Sequence, residues 1–570
     1  MLCGSDGLST INTTVTGSID IDAIFQTEEK GDGDPLEQVV LHVGAFGTYQ
    51  RLLFMSILPF GLFFAFVYFV QMFITATPQR HWCLVPELAH LDLELRRNLS
   101  IPGAAAGDTW DQCVMYDADW TEVLETLVPP SSDTPTTPCR HGWEFEFEDI
   151  PYPTVTSERG WVCDRAWLVP MSQTLAFTGS LVGGVSFGWL ADKFGRLPIF
   201  IASNLVGCAG GLGSVFTTGF WDFAVCRFLV GVSCDTCFMM IYIIALEYVG
   251  FRYRTLVANM SLALFFGTGC VILPWLALWM ADWRRLLLLT STPMLIVCAA
   301  PWLIPESARW LVSQGRTKEA LKILREIENV NKTKIPPDVL DNFLASSNQM
   351  KSDESVLILF KNVPLRKVLL LMICAMMTCA LLFDGLVRLS ETLGGDFFVT
   401  FTLTSATEIP STAILILVLD RWGRRWLMFG PMSLVGVLCI CAAFMPRGLP
   451  TVAMAVVARF FTNMSYNTAI QWSTELLPTG VRTSGFSIIH LTGYVAASIS
   501  SFVVYADQKF EALPLLLLGG VAIIGGCAGL FLPETCDKPM PQTIADGERL
   551  ANSRTLKLGC GKAKDIAETT

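Results

Sequence analysis

Long apolar stretches of this 570-residue chain contain several acidic and basic residues, among them Asp235, Asp384, Glu408, Arg459 and His490. A charged group is costly in an apolar environment, so such groups usually face an interior cavity and carry out a function there. Carboxylates and a guanidinium can bind an ion of opposite charge, and a histidine can bind a proton near neutral pH. The chemistry that these residues predict is binding of a charged ligand or of a proton.

Several of these residues also have a purely structural interpretation. Arg459 can pair with Glu408 and join helices without touching a ligand. Asp384 and Arg388 lie four residues apart, the spacing at which two side chains meet on one helix face, and can satisfy each other. Asp235 has no obvious partner nearby in the sequence, so we expect it to line a cavity.

Aromatic residues accompany the acidic ones, and aromatic faces attract ammonium groups. Phe238 and Tyr242 follow Asp235 by about one and two helical turns, while Phe383 and Tyr466 lie in later apolar stretches. These four residues are candidates for binding an organic cation. Packing remains the alternative for each of them.

Membrane-spanning helices must position these side chains. About 20 mostly apolar residues span a bilayer, and the chain has twelve such stretches, too long and too irregular in pattern for barrel strands. The sequence predicts an all-α polytopic membrane protein. The expected spans are 49–76, 167–190, 197–217, 220–245, 255–280, 284–304, 367–389, 397–419, 426–445, 450–471, 484–505 and 511–532.

The composition agrees with a membrane protein and excludes other classes. Hydrophobic residues make up 52% and charged residues 16%, against about 25% charged in soluble domains. We find no nucleotide loop, metal spacing or nucleophile elbow, so we expect neither enzyme activity nor a cofactor or metal. The net charge of −11 argues against a nucleic-acid partner.

Two long polar segments interrupt the spans, 77–166 after the first span and 305–366 after the sixth. The second of them divides the spans into two sets of six. Basic residues concentrate on the cytoplasmic side of membrane proteins, and the short links on the side of 305–366 carry most of them. We therefore expect both tails and 305–366 in the cytoplasm and 77–166 outside. Apolar residues at helical spacing over 318–330 predict that 305–366 is helical. The resulting division is tail 1–48, span 49–76, outer segment 77–166, spans 167–304, inner segment 305–366, spans 367–532 and tail 533–570.

Segment 77–166 has two features of an extracellular segment. It contains four of the 18 cysteines, an even number that predicts two disulfides with three possible pairings. Asn98 begins the glycosylation sequon Asn98-Leu99-Ser100. The four cysteines are Cys83, Cys113, Cys139 and Cys163.

A short motif occurs twice, 228 residues apart, each time after an apolar span. Asp192-Lys193-Phe194-Gly195-Arg196 follows the second span, and Asp420-Arg421-Trp422-Gly423-Arg424 follows the eighth. Glycine permits a tight turn, and the Asp and Arg can pair across the helix ends. Two copies at equivalent spans indicate two similar halves, as in one class of transporters.

With these motifs the chain resembles the major facilitator superfamily and, more narrowly, the organic cation, carnitine and organic anion transporter family. The resemblance covers about residues 37–549 and implies a twelve-helix fold that moves small organic ions across the plasma membrane by alternating access. Besides the repeated turn, the motifs that carry it are 43–50, 247–250 with Arg254, 305–311 with 315–316, 475–482, 532–535 and 543–548.

The resemblance also implies a latch at the cytoplasmic turns, where the two halves rock about a site at the midplane. We expect pairing between the turn residues and charged groups on the same edge, extending into segment 305–366. The expected latch residues are Asp192, Arg196, Glu247, Arg254, Glu306 and Arg309 in the first half and Asp420 and Arg424 in the second.

The charge of the substrate is less clearly marked. Cation carriers resemble each other in an Asp eleven residues after the Arg of the Pro-Thr-x-x-Arg motif, and anion and carnitine carriers have an Arg there, but this chain has Gly493. Asp235 stands where cation-carrying relatives have a basic residue, and Phe383 where they have a cavity tyrosine. His490 can bind, titrate or simply pack. The acidic residues favour a carnitine-, choline- or amine-conjugate-like cation or zwitterion, with an organic anion as the alternative.

A second hypothesis is a non-transporting relative that binds a ligand through segment 77–166. Gly493 and the unusual Asp235 and Asp384 favour it, whereas latch charges at both turns argue against it. The expected partners of a carrier are a small organic ion and the lipid bilayer. The sequence leaves open whether a proton or a sodium ion is coupled to transport.

Overall fold

The computed structural model describes residues 35–102, 111–345, 357–508, 510–536 and 538–553 without 539 and 542. Most of the two expected tails, 1–34 and 554–570, lies outside these residues. Eleven described helices are long and apolar enough to cross a membrane. They are α1 (Thr48–Ile74), α2 (Cys163–Phe194), α3 (Arg196–Val215), α4 (Phe220–Glu247), α5 (Leu256–Met280), α6 (Trp283–Leu303), α7 (Val363–Glu391), α8 (Phe397–Trp422), α9 (Arg424–Ala443), α11 (Thr479–Tyr505) and α12 (Leu513–Leu530).

The tenth expected span is also a helix, α10 (Leu449–Leu476), but it does not reach the apolar level of the other eleven. The reason is its polar inner face, because Arg459, Thr462, Asn463, Ser465 and Thr468 are all buried. These groups make the helix less apolar overall while keeping its polar atoms inside the protein. A helix is therefore present at each of the twelve expected spans, and the tenth differs from the other eleven in its polar inner face.

The bundle consists of two halves and has two large hydrophobic cores. One core fills the first half and extends to Phe397, Phe398 and Phe401 of α8, and the other lies within the second half. In the first half α2 and α3 both pack on α4. In the second half α7 packs on α11, and α9 packs on α12. The halves meet where α2 packs against α11 and α5 against α8. A ligand between the halves therefore lies among these helices.

Segment 77–166 forms a small domain at one end of the bundle, which we call the disulfide end. Strand β1 (His81–Cys83) pairs antiparallel with β4 (Trp143–Phe145), and β2 (Val114–Tyr116) pairs antiparallel with β3 (Thr136–Pro138). Disulfides join Cys83 to Cys139 and Cys113 to Cys163, which selects one of the three possible pairings. The short helices of this domain are Pro86–Leu88, Leu93–Ser100, Trp120–Thr126 and Val155–Arg159, and the 3₁₀ turn Cys163–Arg165 leads from the domain into α2.

The opposite end, which we call the latch end, is covered by short helices. Helix Thr317–Asn331 buries Ala320, Leu324 and Ile327 on one face, so the amphipathic pattern over 318–330 is confirmed as a helix. Asn331 at its end accepts a hydrogen bond from the amide of Tyr49 at 2.8 Å and thereby holds it to α1. The other helices of this end are Pro35–Val43, Ala308–Ser313, Pro337–Ala345, Leu357–Lys361 and Ile544–Asn552.

Four bundle helices are irregular within their length. The helical pattern of α4 is interrupted at Asp235 and that of α8 at Thr407. Helix α5 contains a π-helical turn at Ser261–Phe266, and α6 contains a 3₁₀ stretch at Thr292–Ala299. Such interruptions occur at functional sites because they free backbone groups and redirect side chains. Two of the four lie at or next to a candidate acid, Asp235 and Glu408.

Candidate functional site

Asp235 lies where the first half of the bundle meets the second. Its carboxylate oxygen Oδ1 accepts a hydrogen bond from the Tyr494 hydroxyl at 3.0 Å and lies 3.3 Å from His490 Nε2. Both partners are on α11, and Asp235 is on α4. The local sequence around Asp235 suggests no partner for it. Its partners come from the other half of the bundle, and His490 lies 255 residues further along the chain.

A pair of aromatic rings lies on the second half of the same region. Phe383 of α7 and Tyr466 of α10 stack with ring centroids 4.9 Å apart and an angle of 27°. Tyr466 is close enough to Asp235 and to Glu408 to interact electrostatically with both. The aromatic pair therefore connects the two candidate acids, and stacked rings of this kind can receive the alkyl or cationic part of a ligand.

Arg459 completes this group from α10. Its guanidinium carbon lies 3.5 Å from the centroid of the Phe383 ring, and its Nη1 donates to the Phe383 carbonyl oxygen. Its Nε is buried without a hydrogen-bond partner among the described residues. Glu408 interacts with Arg459 electrostatically, but no described contact brings the two charges within ion-pair distance. The arrangement leaves one donor of Arg459 available to an acceptor.

Asp384 has a different environment from Asp235. Its two carboxylate oxygens accept hydrogen bonds from Arg388 at 2.6 and 3.0 Å and a further one from the Ser500 hydroxyl. Asp384 is wholly buried, and the Arg388 guanidinium lies over the Phe177 ring at 5.5 Å. The alternative in which Asp384 and Arg388 satisfy each other is therefore the arrangement that the structure has, and the pair joins α7, α11 and α2.

Phe238 and Tyr242 belong to the packing of the first half. Phe238 is fully buried and stacks on Phe64 with centroids 5.6 Å apart and an angle of 7°. Tyr242 packs on Phe238 at 5.7 Å and is only partly buried. Of these four aromatic candidates, Phe383 and Tyr466 lie close to the charged groups. Phe238 and Tyr242 pack within the first half.

The latch residues of the first half form a connected network. Asp192 and Arg196 pair at 3.1 Å, and the Arg196 amide at the start of α3 donates to Glu306 at 3.0 Å. Glu247 at the end of α4 accepts from the Ser307 hydroxyl. A carboxylate at a helix start satisfies amides that have no partner in the helix, so Glu306 fixes the end of α3 to segment 305–366.

The second half repeats this network 228 residues later. Arg424 pairs with Asp420 at 3.0 Å, and its amide at the start of α9 donates to Glu534 at 3.0 Å. Glu475 accepts from the Thr535 hydroxyl at 2.5 Å and from the Arg424 guanidinium at 3.0 Å. Each contact named here and in the preceding paragraph joins groups of the same half.

Two further latch candidates make other contacts. Arg254 pairs at 2.9 Å with Glu37, a residue of helix Pro35–Val43. The expected contact of Arg254 with the turn residues is therefore replaced by one with the chain before α1. Arg309 in helix Ala308–Ser313 interacts electrostatically with Glu247 and so extends the network into segment 305–366.

The disulfide end holds the two halves together. The Thr77 amide donates to the Glu391 carboxylate at 2.7 Å, and the Gln79 side chain donates to the Glu391 carbonyl at 3.2 Å. Beneath these contacts the Phe73 ring packs on Phe397 and Phe401 with centroids 5.2 and 4.9 Å away. The halves are thus closed against each other at this end.

The disulfide domain is also fixed to the first half. Glu158 accepts hydrogen bonds from Arg284 at 2.5 and 2.7 Å and from the Trp283 indole at 2.8 Å. The hydrogen bonds from Arg284 hold the pKa of the Glu158 carboxyl below its usual range. These contacts attach the disulfide domain to α6 of the first half.

Sequence reasoning identified Tyr494 as a candidate aromatic residue but missed several other contributing residues. Ser500 and Glu391 act through partners far away in the chain, and no local pattern marks them. Glu475 and Glu534 have a detectable signal, because they stand 228 residues after Glu247 and Glu306, the same offset as the repeated turn. Extending the repeat beyond the turn would have found both.

The exposed Asn98 gives a direct test of the glycosylation sequon. Its side chain is on the surface of helix Leu93–Ser100, so it is accessible to modification. We expect the wild-type chain from animal cells to migrate faster on a gel after N-glycosidase treatment, and Asn98→Gln to migrate at that faster position without treatment. Asn331→Gln, at another sequon whose side chain contacts Tyr49, should leave migration unchanged. A wild-type chain insensitive to the enzyme would contradict this prediction.

Comparison with known proteins agrees with the fold. Residues 154–543 match the family described as sugar (and other) transporter. A solved structure of the proton:xylose symporter XylE bound to 6-bromo-6-deoxy-D-glucose superposes with a TM-score of 0.57 at 15% identity, covering 88% of this chain and 98% of that one. This likeness concerns the fold alone.

The similar curated proteins are transporters. The beta-alanine transporter of Drosophila melanogaster is 32% identical over 91% of this chain and 90% of its own length, and the carcinine transporter of the same organism is 30% identical over 92% and 81%. Human solute carrier family 22 member 2 is 28% identical over 92% and 96%. The chain therefore belongs to the sugar (and other) transporter family of the major facilitator superfamily, and it is a multi-pass membrane transporter rather than an enzyme.

Proposed function

We propose that this protein is a plasma-membrane carrier that takes up small organic cations or zwitterions by alternating access. The observation that carries the proposal is the carboxylate of Asp235 at the junction of the halves, where it contacts His490 and Tyr494. A carboxylate in this position attracts an ammonium group and loses it when the halves separate. In this proposal both tails and segment 305–366 are cytoplasmic, and segment 77–166 is extracellular.

The surroundings of Asp235 favour a substrate with an amine at one end. The carboxylate is the counter-ion for the ammonium group, and the Phe383–Tyr466 pair, stacked at 4.9 Å, receives the neighbouring carbon atoms. The free Nε of Arg459 is a donor for a carboxylate at the other end of a zwitterion. The relatives described as transporters of beta-alanine, a zwitterion, and of carcinine, an amine, agree with this substrate class.

The conformation supports alternating access. The halves are joined at the disulfide end through Glu391 and the Phe73 cluster, whereas the named latch contacts at the other end stay within a half. In the proposed orientation this is a state closed to the outside. The same contacts occur in both latches, and each latch ties helices of its own half together. In this proposal each half therefore moves as a rigid unit.

An organic anion carrier is the second candidate. The buried guanidinium of Arg459, whose Nε has no partner among the described residues, favours it. Glu408 interacts electrostatically with that guanidinium and reduces the positive charge available to an anion. Asp235 further repels anions from the same region, so the cation or zwitterion is the better supported substrate.

The test is uptake by cells that express the chain, with labelled choline, carcinine, beta-alanine and benzoate as substrates. We expect saturable uptake of at least one of the three amines and none of benzoate. Uptake of benzoate alone would favour the anion carrier. Good surface expression without uptake of any compound would contradict a carrier and favour the receptor-like hypothesis. Cells expressing the chain with Asp341→Asn, a substitution on the surface of segment 305–366, are the control.

A further inference from the structure

His490 is unusual among the five histidines of the chain. His42 lies before α1, and His81, His90 and His141 lie in segment 77–166, so His490 is the one histidine within a bundle helix. It lies on α11 with Nε2 directed at Asp235 of α4 at 3.3 Å. A group that titrates near neutral pH therefore stands at the junction of the halves, beside the carboxylate that we assign to the substrate.

The two nitrogen atoms of the His490 ring are in different environments. Nε2 faces Asp235, while Nδ1 is buried and has no hydrogen-bond partner among the described residues. A neutral ring that donates through Nε2 keeps its contact with Asp235 and leaves Nδ1 as an acceptor. A proton can therefore bind at Nδ1 without breaking the contact between the halves.

The Asp235 carboxylate has one occupied and one open oxygen. Oδ1 receives the Tyr494 hydroxyl and faces His490 Nε2, whereas Oδ2 accepts no hydrogen bond from the residues that the structure describes. Oδ2 is therefore the position for a substrate ammonium group. Two positive charges on opposite sides of one carboxylate, in a region from which water is largely excluded, repel each other strongly.

We propose that His490 binds a coupling proton and that this proton and the ammonium group of the substrate compete for the charge of Asp235, so that the carrier exchanges an organic cation for a proton. The inference rests on the proposed function and names its coupling ion. When the ammonium group binds Oδ2, the proton leaves His490 Nδ1 for solvent and the ring becomes neutral. When the ammonium group leaves, a proton returns to Nδ1, so the charge of the site is the same in both states.

The other ionisable groups named around this site are poorer candidates for binding the coupling proton than His490. Tyr68 of α1, Cys234 of α4 and Tyr466 of α10 interact electrostatically with Tyr494, and these side chains are ordinarily neutral at pH 7. Asp384 and Arg388 of α7 neutralise each other at 2.6 Å. On α2, Thr174, Phe177 and Gly184 lie next to α11, and none of these three has an ionisable side chain.

The experiment uses the purified full-length protein in liposomes, with the membrane potential clamped by potassium and valinomycin. Labelled choline and beta-alanine are the probes, because neither accumulates in acidic vesicles by diffusion as a neutral weak base. Uptake is measured with an interior at about pH 6 and an exterior at about pH 7.5, a range that spans the ordinary histidine pKa. The reference is uptake with both sides at about pH 7.5.

We expect the acidic interior to accelerate wild-type uptake by about fivefold or more, the usual lower size of coupling between two linked ligands. His490→Gln keeps a donor for Asp235 but binds no proton, so its uptake should be the same with and without the gradient. His42→Gln, the same change in the exposed helix before α1, should respond to the gradient as the wild type does.

A second measurement on the wild type does not depend on any variant folding. Addition of choline to the detergent-solubilised protein in weak buffer should release about one proton per bound choline, as linkage between the two ligands requires. Saturable uptake that ignores the gradient, without proton release, would overturn the inference and leave the carrier intact. Absence of both uptake and binding of choline and beta-alanine would overturn the proposed function, and the inference with it.

Discussion

Asp235→Asn should reduce the uptake efficiency for organic cations and zwitterions by about 30-fold or more, because loss of the charged partner of a desolvated ion pair costs about 2–5 kcal/mol. The substitution keeps the size of the side chain. It also keeps an oxygen that can accept the hydrogen bond from the Tyr494 hydroxyl, which lies 3.0 Å from Oδ1 in the wild type. It removes the negative charge that the substrate ammonium group requires. The measurement is kcat/KM for uptake, corrected for the amount of protein at the cell surface.

Two controls separate this effect from a folding defect. Asp235→Glu retains the charge on a longer side chain and should recover part of the uptake. Asp341→Asn, on the exposed face of helix Pro337–Ala345, should leave uptake unchanged. Full uptake by Asp235→Asn at normal surface level would show that the substrate does not use this carboxylate.

Asp384→Asn should act on stability. Asp384 is wholly buried and neutralises Arg388 at 2.6 Å, so its removal leaves a buried guanidinium without a counter-ion. Breaking one partner of a buried ion pair typically costs about 3–5 kcal/mol. We expect a lower midpoint of thermal unfolding for the detergent-solubilised protein and less protein at the cell surface.

The double variant Asp384→Leu with Arg388→Met distinguishes stability from substrate binding. Replacement of a whole buried pair by apolar residues is often close to neutral, so the double variant should recover much of the unfolding midpoint and of the surface level. If Asp384 instead binds the substrate, the double variant will reach the surface but will not transport. Unchanged stability in Asp384→Asn would contradict the structural role.

Much of the fold follows from the sequence, because long apolar stretches and two polar segments leave few arrangements of the chain. The exception is α10, where Arg459 and Asn463 lower the apolar character of a helix that still packs inside the bundle. The helix of segment 305–366 and the two disulfides of segment 77–166 were predictable from periodicity and from the cysteine count. The disulfide pairing was not, because spacing alone leaves three possibilities.

The candidate site was less predictable, because its contacts join distant parts of the chain. The sequence identifies Asp235 and His490 as ionisable residues in apolar stretches, but their proximity depends on how α4 meets α11. The sequence leaves open whether Asp384 binds the substrate or pairs with Arg388. The structure has the ion pair, which is the arrangement that the spacing of four residues allows. Burial and partner geometry, which sequence pattern does not contain, distinguish the two acids.

The most direct test of the central claim, that a carrier alternates between two sides with Asp235 in its site, is counterflow in liposomes that contain the purified protein. Liposomes preloaded with unlabelled beta-alanine are placed in a trace of labelled beta-alanine. We expect labelled beta-alanine to accumulate transiently above its equilibrium level, because a carrier that returns with unlabelled substrate bound brings label in faster than it leaves. We expect Asp235→Asn to abolish this accumulation. Label that enters preloaded and empty liposomes with the same monotonic course would contradict the account.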